Sequence, residues 1–364
     1  MTPDRQDGEQ PKGQQATPKN PMGVHLVGSV PLPDAETVFR RAQAALGDRL
    51  RRIPDGETGD RSRWVGWQGF AFKALPQFEK VAPRPDQYPP TPRFRVREGA
   101  DISRASFGNL GYADEALASY RIFTQLRDDG VLGTDQRFQV SIPTPIAPVA
   151  MFIVDDAQLV VEPIYERQLL DEVGRILDGI PHDDLAFQWD VCIEMWMWER
   201  WLPAPFENVE DEIATRLVRL TDAIPDAVEV GHHLCYGDFQ HEHMRQPTDA
   251  ANLAAVAAAI ARSRRPVQWL HLPVPIERDD EAYFAPLRGM SLRPETELYL
   301  GLVHFRDGVD GAQRRIAAAR QAGVREFGVA TECGMGRRPP DRGGTEDGLA
   351  ELLATHAGVS ASVR

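Results

Sequence analysis

Two residues separated by one leucine carry the sharpest chemical signal in the chain. His233 and Cys235 stand two positions apart at the end of an apolar run, and donors so spaced at a strand end project to the same side, within reach of one metal ion. Cys333, much later in the sequence, would be the third ligand. An imidazole with two thiolates is a soft set that suits zinc. Zinc deprotonates a coordinated thiol, whose ordinary pKa is about 8.5, and an open or labile position leaves room for a substrate sulfur. The chemistry to expect is thiol activation. A second cationic or acidic group would then position the electrophile or donate a proton, and His304 and Asp307 are the catalytic candidates.

Other residues permit two readings each. Trp189, Trp196, Trp198 and Trp201 crowd one stretch and read either as a wall for a flat donor or as packing. Arg337, Arg338 and Arg342 follow Cys333 and would bind carboxylates or phosphates, or simply be solvated. The pair His241 and His243 reads as a solvated turn in preference to competing ligands, and Cys192 reads as a small buried thiol.

The elements that must position these residues follow a regular rhythm. Strand-like runs at 23–29, 50–54, 138–142, 185–190, 227–234, 267–272, 297–303 and 326–330 alternate with helical patterns at 35–46, 114–128, 162–177, 209–223, 249–261, 281–287, 311–321 and 345–356. Asp34 is placed to cap the first helix. Eight βα units predict an α/β fold, a single (β/α)8 TIM barrel over 22–364. Prolines at 76, 83, 85, 89, 90 and 92 mark a long insertion after the second strand, spanning 76–112. Residues 1–21 have almost nothing apolar and are expected to be a disordered tail. Barrel enzymes keep their chemistry on the loops after the strands. Ser29, Asp55, Glu57, Asp60, Asp190, His232, His233, Cys235, His271, His304, Asp307, Glu332 and Cys333 all fall there.

Composition excludes several classes. With 41 basic and 54 acidic residues the formal charge is −13, which opposes attraction to nucleic acid or an anionic membrane. No stretch approaches the roughly 20 apolar residues of a membrane span, and no signal peptide is read. Three cysteines cannot build a disulfide framework, so the cytoplasm is the expected location. No Gly-x-Gly-x-x-Gly follows the first strand and no Walker A sequence occurs, which removes the main support for both nucleotide-binding folds.

Taken in order, Gly28-Ser29, Gly56-Glu57, Gln188-Trp189-Asp190, His233-Leu234-Cys235-Tyr236 and Glu332-Cys333-Gly334 resemble the catalytic barrel of cobalamin-independent methionine synthase and its relatives in the uroporphyrinogen decarboxylase-like superfamily. The resemblance runs from about residue 23 to the last helix and is specific at those five sites. It implies that His233, Cys235 and Cys333 hold zinc, and that Ser29, Glu57 and Asp190 bind the amino-acid end of a homocysteine-like thiol. The family's glutamate ligand follows strand six, where His271 stands in the run 269–275 and is the replacement implied as a further metal ligand. The family's full synthase has two barrels and this chain one, and the pterin-stacking tryptophan has no counterpart in 141–152. The expected activity is therefore zinc-dependent transfer of a methyl or small alkyl group to or from a thiol, with a small-molecule thiol and an alkyl donor as partners. Two other classes stand beside it: a metal-free lyase or decarboxylase of the same superfamily, and a non-catalytic ligand-binding barrel.

Overall fold

The computed structural model describes residues 20–83, 91–237, 243 and 245–363. Except for Asn20 and Pro21, the tail expected over 1–21 lies outside the described residues, as does His241. Among the described residues the strands are β1 (Arg52–Pro54), β2 (Phe78–Val81), β3 (Arg93–Val96), β4 (Arg137–Pro143), β5 (Leu185–Val191), β6 (Glu229–Leu234), β7 (Trp269–Pro273), β8 (Glu297–Val303) and β9 (Gly328–Thr331). Seven of them form one parallel sheet in the order β1, β4, β5, β6, β7, β8, β9, while β2 and β3 pair as a separate antiparallel hairpin. The helices are α1 (Ala35–Leu46), α2 (Gly69–Ala74), α3 (Tyr112–Asp128), α4 (Ile146–Phe152), α5 (Gln158–Gly179), α6 (Ile193–Trp198), α7 (Val209–Asp222), α8 (Ala251–Ile260), α9 (Glu281–Phe284), α10 (Gly308–Gln321) and α11 (Glu346–Val359).

Local sequence explains the boundaries. Asp34 caps α1 by accepting the Thr37 N–H at 2.8 Å, and Thr345 caps α11 by accepting from Gly348 at 3.1 Å. Helix α7 buries Val209, Ile213, Leu217 and Leu220, a stripe at helical spacing, and exposes its acidic first turn. Along β5 every residue is buried. Alternation sends Phe187, Trp189 and Val191 to one face and Ala186, Gln188 and Asp190 to the other. Gln188 bonds across the interior to Val27 O at 2.6 Å and to His25 Nε2 at 2.8 Å. Gly231 is needed there because a Cβ would lie 2.0 Å from the Trp269 ring, which fills the space between β6 and β7.

Three expectations change. The first strand, expected at 23–29, is not a regular strand, so regular pairing covers seven strands and not the eight of a closed barrel. Its backbone still bonds on both flanks: His25 N–H donates to Val329 O at 2.9 Å, Val329 N–H to Gly23 O at 3.1 Å, and Val24 N–H to Arg49 O at 2.9 Å. Glycines interrupt the run: Gly23 has φ +85°, and a Cβ on Gly28 would lie 2.1 Å from Glu57 Oε1. The proline-rich insertion carries order of its own, the β2–β3 hairpin, tied down where Val154 N–H donates to Phe94 O at 3.0 Å and Arg93 to Ile153 O at 2.8 Å. Short helices α4 and α6, unexpected from sequence, follow β4 and β5 directly.

Candidate functional site

Register brings the site together. Across the sheet, Asp190 on β5 pairs with His233 on β6, and His233 pairs with His271 on β7. Register partners in a parallel sheet share a face, so the three side chains form one row at the carboxyl end of the strands. Above that row lies a cavity of about 1170 Å³, the size of a small-molecule site. Its floor is built by Ser29, Glu57, Asp190, His233, Cys235 and Cys333. Its roof comes from the segment after β1 and from the hairpin, through Trp64, Trp67, Phe70, Phe78 and Phe94.

The donors His233, Cys235 and Cys333 lie within 4.8 Å of one another, all buried. The Cys235 and Cys333 sulfurs are 3.6 Å apart. Two sulfurs held tetrahedrally at about 2.3 Å from one zinc ion would be about 3.8 Å apart, so the pair already has the spacing of co-ligands. The imidazole is equally prepared. Thr331 O can only accept, so His271 Nε2, 2.9 Å away, donates to it. His271 Nδ1 is then an acceptor, and His233 Nδ1, 2.7 Å from it, must be the donor. That leaves His233 Nε2 as a bare lone pair, buried and without a hydrogen-bond partner. Burial, with His271 adding to it, drives His233 well below its ordinary pKa and keeps it neutral, the form that binds metal. Burial likewise lowers His271 to about 4. Both His271 nitrogens are committed, so in this arrangement it stands behind His233 as a support and not beside the thiols as a ligand.

The Cys235 thiol is held in its neutral form. The adjoining Cys192 thiol, together with burial, pushes Cys235 well above its ordinary pKa despite the bond to Cys333. Gly237 N–H donates to Cys235 Sγ at 3.3 Å, and the Arg337 guanidinium lies 3.5 Å from Cys333 Sγ. A metal cation held by the sulfurs would turn them into thiolates.

The carboxylates form the second half of the floor. Glu57 has φ +46°, a left-handed conformation that costs free energy for a residue with a Cβ. Trp64, on the roof, is strained likewise at φ +53°. Gly28 leaves room for the Glu57 carboxylate, and Gly334 for Ser29, whose Oγ a Cβ there would meet at 2.3 Å. Removal from water, then the facing Asp190 charge, pushes Glu57 up to about 8. Burial likewise pushes Asp190 up to about 6, although Gln188 Nε2 donates to it at 2.9 Å. Burial opposes the ionisation of both carboxyl groups even with the Arg337 charge acting on them, so a further bound cation would favour their charged forms.

Other expected residues are placed elsewhere. Asp307 is clamped by Arg315 through two bonds of 2.8 Å; burial would raise its pKa, but Arg315 outweighs this and holds it low. A carboxylate so held is a poor acid, and the catalytic role expected of Asp307 does not fit this placement. His304 does not line the cavity either. Its Nε2 faces Val274 O at 2.9 Å and its Nδ1 lies 3.5 Å from Glu332 Oε1. Glu332 also meets His243 Nε2 at 2.9 Å, so His243 is a buried partner of a rim carboxylate and not a solvated turn. Asp55 pairs with Arg61 at 2.8 Å, exposed Asp60 with Arg63 at 3.1 Å, and His232 points to Thr221 at 3.0 Å. Of the four clustered tryptophans, Trp196 reaches the cavity while Trp189 is fully buried in the core. Arg337 lines the cavity, and the Arg342 side chain lies outside the described residues.

No family model matches the chain, and no curated protein does. Solved structures do. A B12-independent methionine synthase from a Shewanella species shares 14% identity at a TM-score of 0.57, covering 93% of this chain and 97% of its own. A Listeria monocytogenes protein assigned as a vitamin-B12-independent methionine synthase shares 15% at 0.50, with 89% and 86% covered. A methyltransferase from Methanosarcina mazei shares 12% at 0.53, with 93% and 94% covered. Over nearly its whole described length, then, the chain has the fold of methionine synthase-like proteins.

Proposed function

We propose that the protein is a zinc-dependent transferase that moves a methyl or small alkyl group to or from a small thiol bearing an amino group. The observation that carries this reading is the His233 imidazole, with a buried, partnerless Nε2 and a donor nitrogen within 4.8 Å of two thiols at co-ligand spacing on the floor of a cavity. His233, Cys235 and Cys333 would hold the ion, which supplies a deprotonated, nucleophilic substrate sulfur. The chain's own residues do the rest. Glu57 and Asp190 receive the substrate ammonium, which their raised pKa values favour because its charge lets both ionise. Ser29 at the Gly28-Ser29 turn orients the same end, and Arg337 beside Cys333 offers a cation for a carboxylate. The aromatic roof over the floor excludes water from the reacting atoms and offers flat apolar surface to an alkyl donor. His304, through Glu332, and Asp307, through Arg315, would act as positioning residues without touching substrate. The similarity to methionine synthase-like structures supports the same reading. We extend it to the architecture, with 23–29 as the eighth stave of a single barrel over 22–364, and to a cytoplasmic location.

Metal analysis tests the reading directly. Purified, untagged chain should hold about one zinc ion by mass spectrometry, and the His233→Ala, Cys235→Ala double variant should hold none. Absence of metal from both samples after incubation with excess zinc would sink the proposal and favour a metal-free lyase, in which Cys235 and Cys333 are dispensable.

A further inference from the structure

The chain has only three cysteines, on the ends of three different strand connections, and all three meet at one point. Cys192 follows β5 at the start of α6, is 4% exposed and packs against Cys235 and Cys333 under Trp64 and Trp196. Its thiol adjoins that of Cys235 within the same buried cluster. It also lines the cavity. The strand ends that carry the two cysteines are tied, since Cys235 N–H donates to Val191 O at 2.9 Å. Cys192 stands outside the 4.8 Å triad but against its Cys235 edge.

The other donors nearby are spoken for. His271 has both nitrogens committed, to His233 and Thr331. The Glu332 oxygens face His243 and His304. Asp190 accepts from Gln188 and, with Glu57, is assigned to the substrate ammonium. Among the described residues Cys192 is the remaining soft donor in contact with the set.

We propose that Cys192 is the fourth protein ligand, so that the resting centre is a one-histidine, three-cysteine site that closes on the ion by drawing Cys192 in. One imidazole with three thiolates is among the ordinary tetrahedral zinc sets. Three thiolates about a divalent cation leave one negative charge, and Arg337, 3.5 Å from Cys333 Sγ, faces it. This inference rests on the proposed metal site.

Cobalt substitution with X-ray absorption separates the two. The cobalt-loaded wild-type chain should show three sulfur and one nitrogen scatterers, and Cys192→Ser should show two sulfurs. The thiolate-to-cobalt charge-transfer band should fall by about one third in that variant. Cobalt bound by two sulfurs in the wild type, or an unchanged band in Cys192→Ser, overturns the role of Cys192 and leaves the triad intact. A wild-type chain that takes up neither zinc nor cobalt overturns the triad and the fourth ligand together. The wild-type sulfur count needs no variant, so the proposal survives a misfolded mutant as a testable statement.

Discussion

The two ends of the same sheet treat buried polar groups in opposite ways. At the amino end, Arg52, almost fully buried, lies 2.5 Å from Glu229 and 2.8 Å from Glu297, with its guanidinium 4.3 Å above the Trp269 ring. Arg137 and Arg51 complete the network at 3.1 Å and 2.7 Å from the same two carboxylates. Every charge there faces its opposite. At the carboxyl end, His233 Nε2 has no hydrogen-bond partner, two thiols face each other, and two carboxyl groups share one cavity wall. Leaving a buried polar group unmatched costs free energy, so an end that is matched by the protein itself reads as stability, and one left to be matched by something else reads as binding.

Breaking the matched end should give the largest effect on folding and none on the centre. Arg52→Ala removes the buried cation that joins Glu229 to Glu297 and leaves each with one partly exposed arginine, and the expected loss is about 3 kcal/mol, read from the denaturant midpoint. Zinc stoichiometry should stay at one per chain. An Arg52→Ala protein as stable as wild type, or one that has lost its metal, would erase the distinction between the two ends.

The unmatched end should respond the other way, in metal affinity more than in stability. Removing the support behind His233 by His271→Ala should weaken zinc binding about 10–100-fold while one ion still binds at saturation. Competition with a chelator measures it. If His271 were instead a ligand, the loaded wild type would show a second nitrogen scatterer that the variant lacks.

How far the sequence revealed this contrast depended on distance along the chain. The βα rhythm located every strand of the parallel sheet, because a buried parallel strand needs a continuous apolar run and the helices between carry a clear period. It also placed His233, Cys235 and Cys333 on one rim. Register was invisible, and register decides that His271 lies directly beside His233, where its nitrogens are consumed before any ion arrives. Cys192 read as a small buried thiol, which it is, but its cluster was hidden because its neighbours are on the next strand connection and near the end of the chain. Glu332 was legible as a rim residue beside Cys333, but its bonds to His243 and His304 join loops that nothing local connects. The hairpin after β1 was hidden by its prolines, which lie mainly between its two strands and outweigh four-residue runs in any pattern count.

The smallest expected effect sharpens the comparison within the cavity itself. Glu57 titrates at about 8 in the folded chain because burial and Asp190 oppose its charge, whereas an unfolded glutamate titrates near its ordinary 4.5. Between those two values the folded state keeps a proton that the unfolded state has lost, so Glu57 makes stability fall as pH rises from about 5 to 8. Glu57→Gln has no such proton. Relative to wild type it should therefore gain stability on going from pH 5 to pH 8, on the order of 1 kcal/mol once cavity water is allowed for. Ligand binding should show the mirror image. An amino-group ligand favours the ionised pair, so its affinity should rise with pH across the same window in wild type and flatten in Glu57→Gln. Melting curves and calorimetric titrations at both pH values measure the two slopes. Parallel stability profiles for the two proteins would show that Glu57 ionises freely, and the cavity wall would then be matched by water as the amino end of the sheet is matched by arginine.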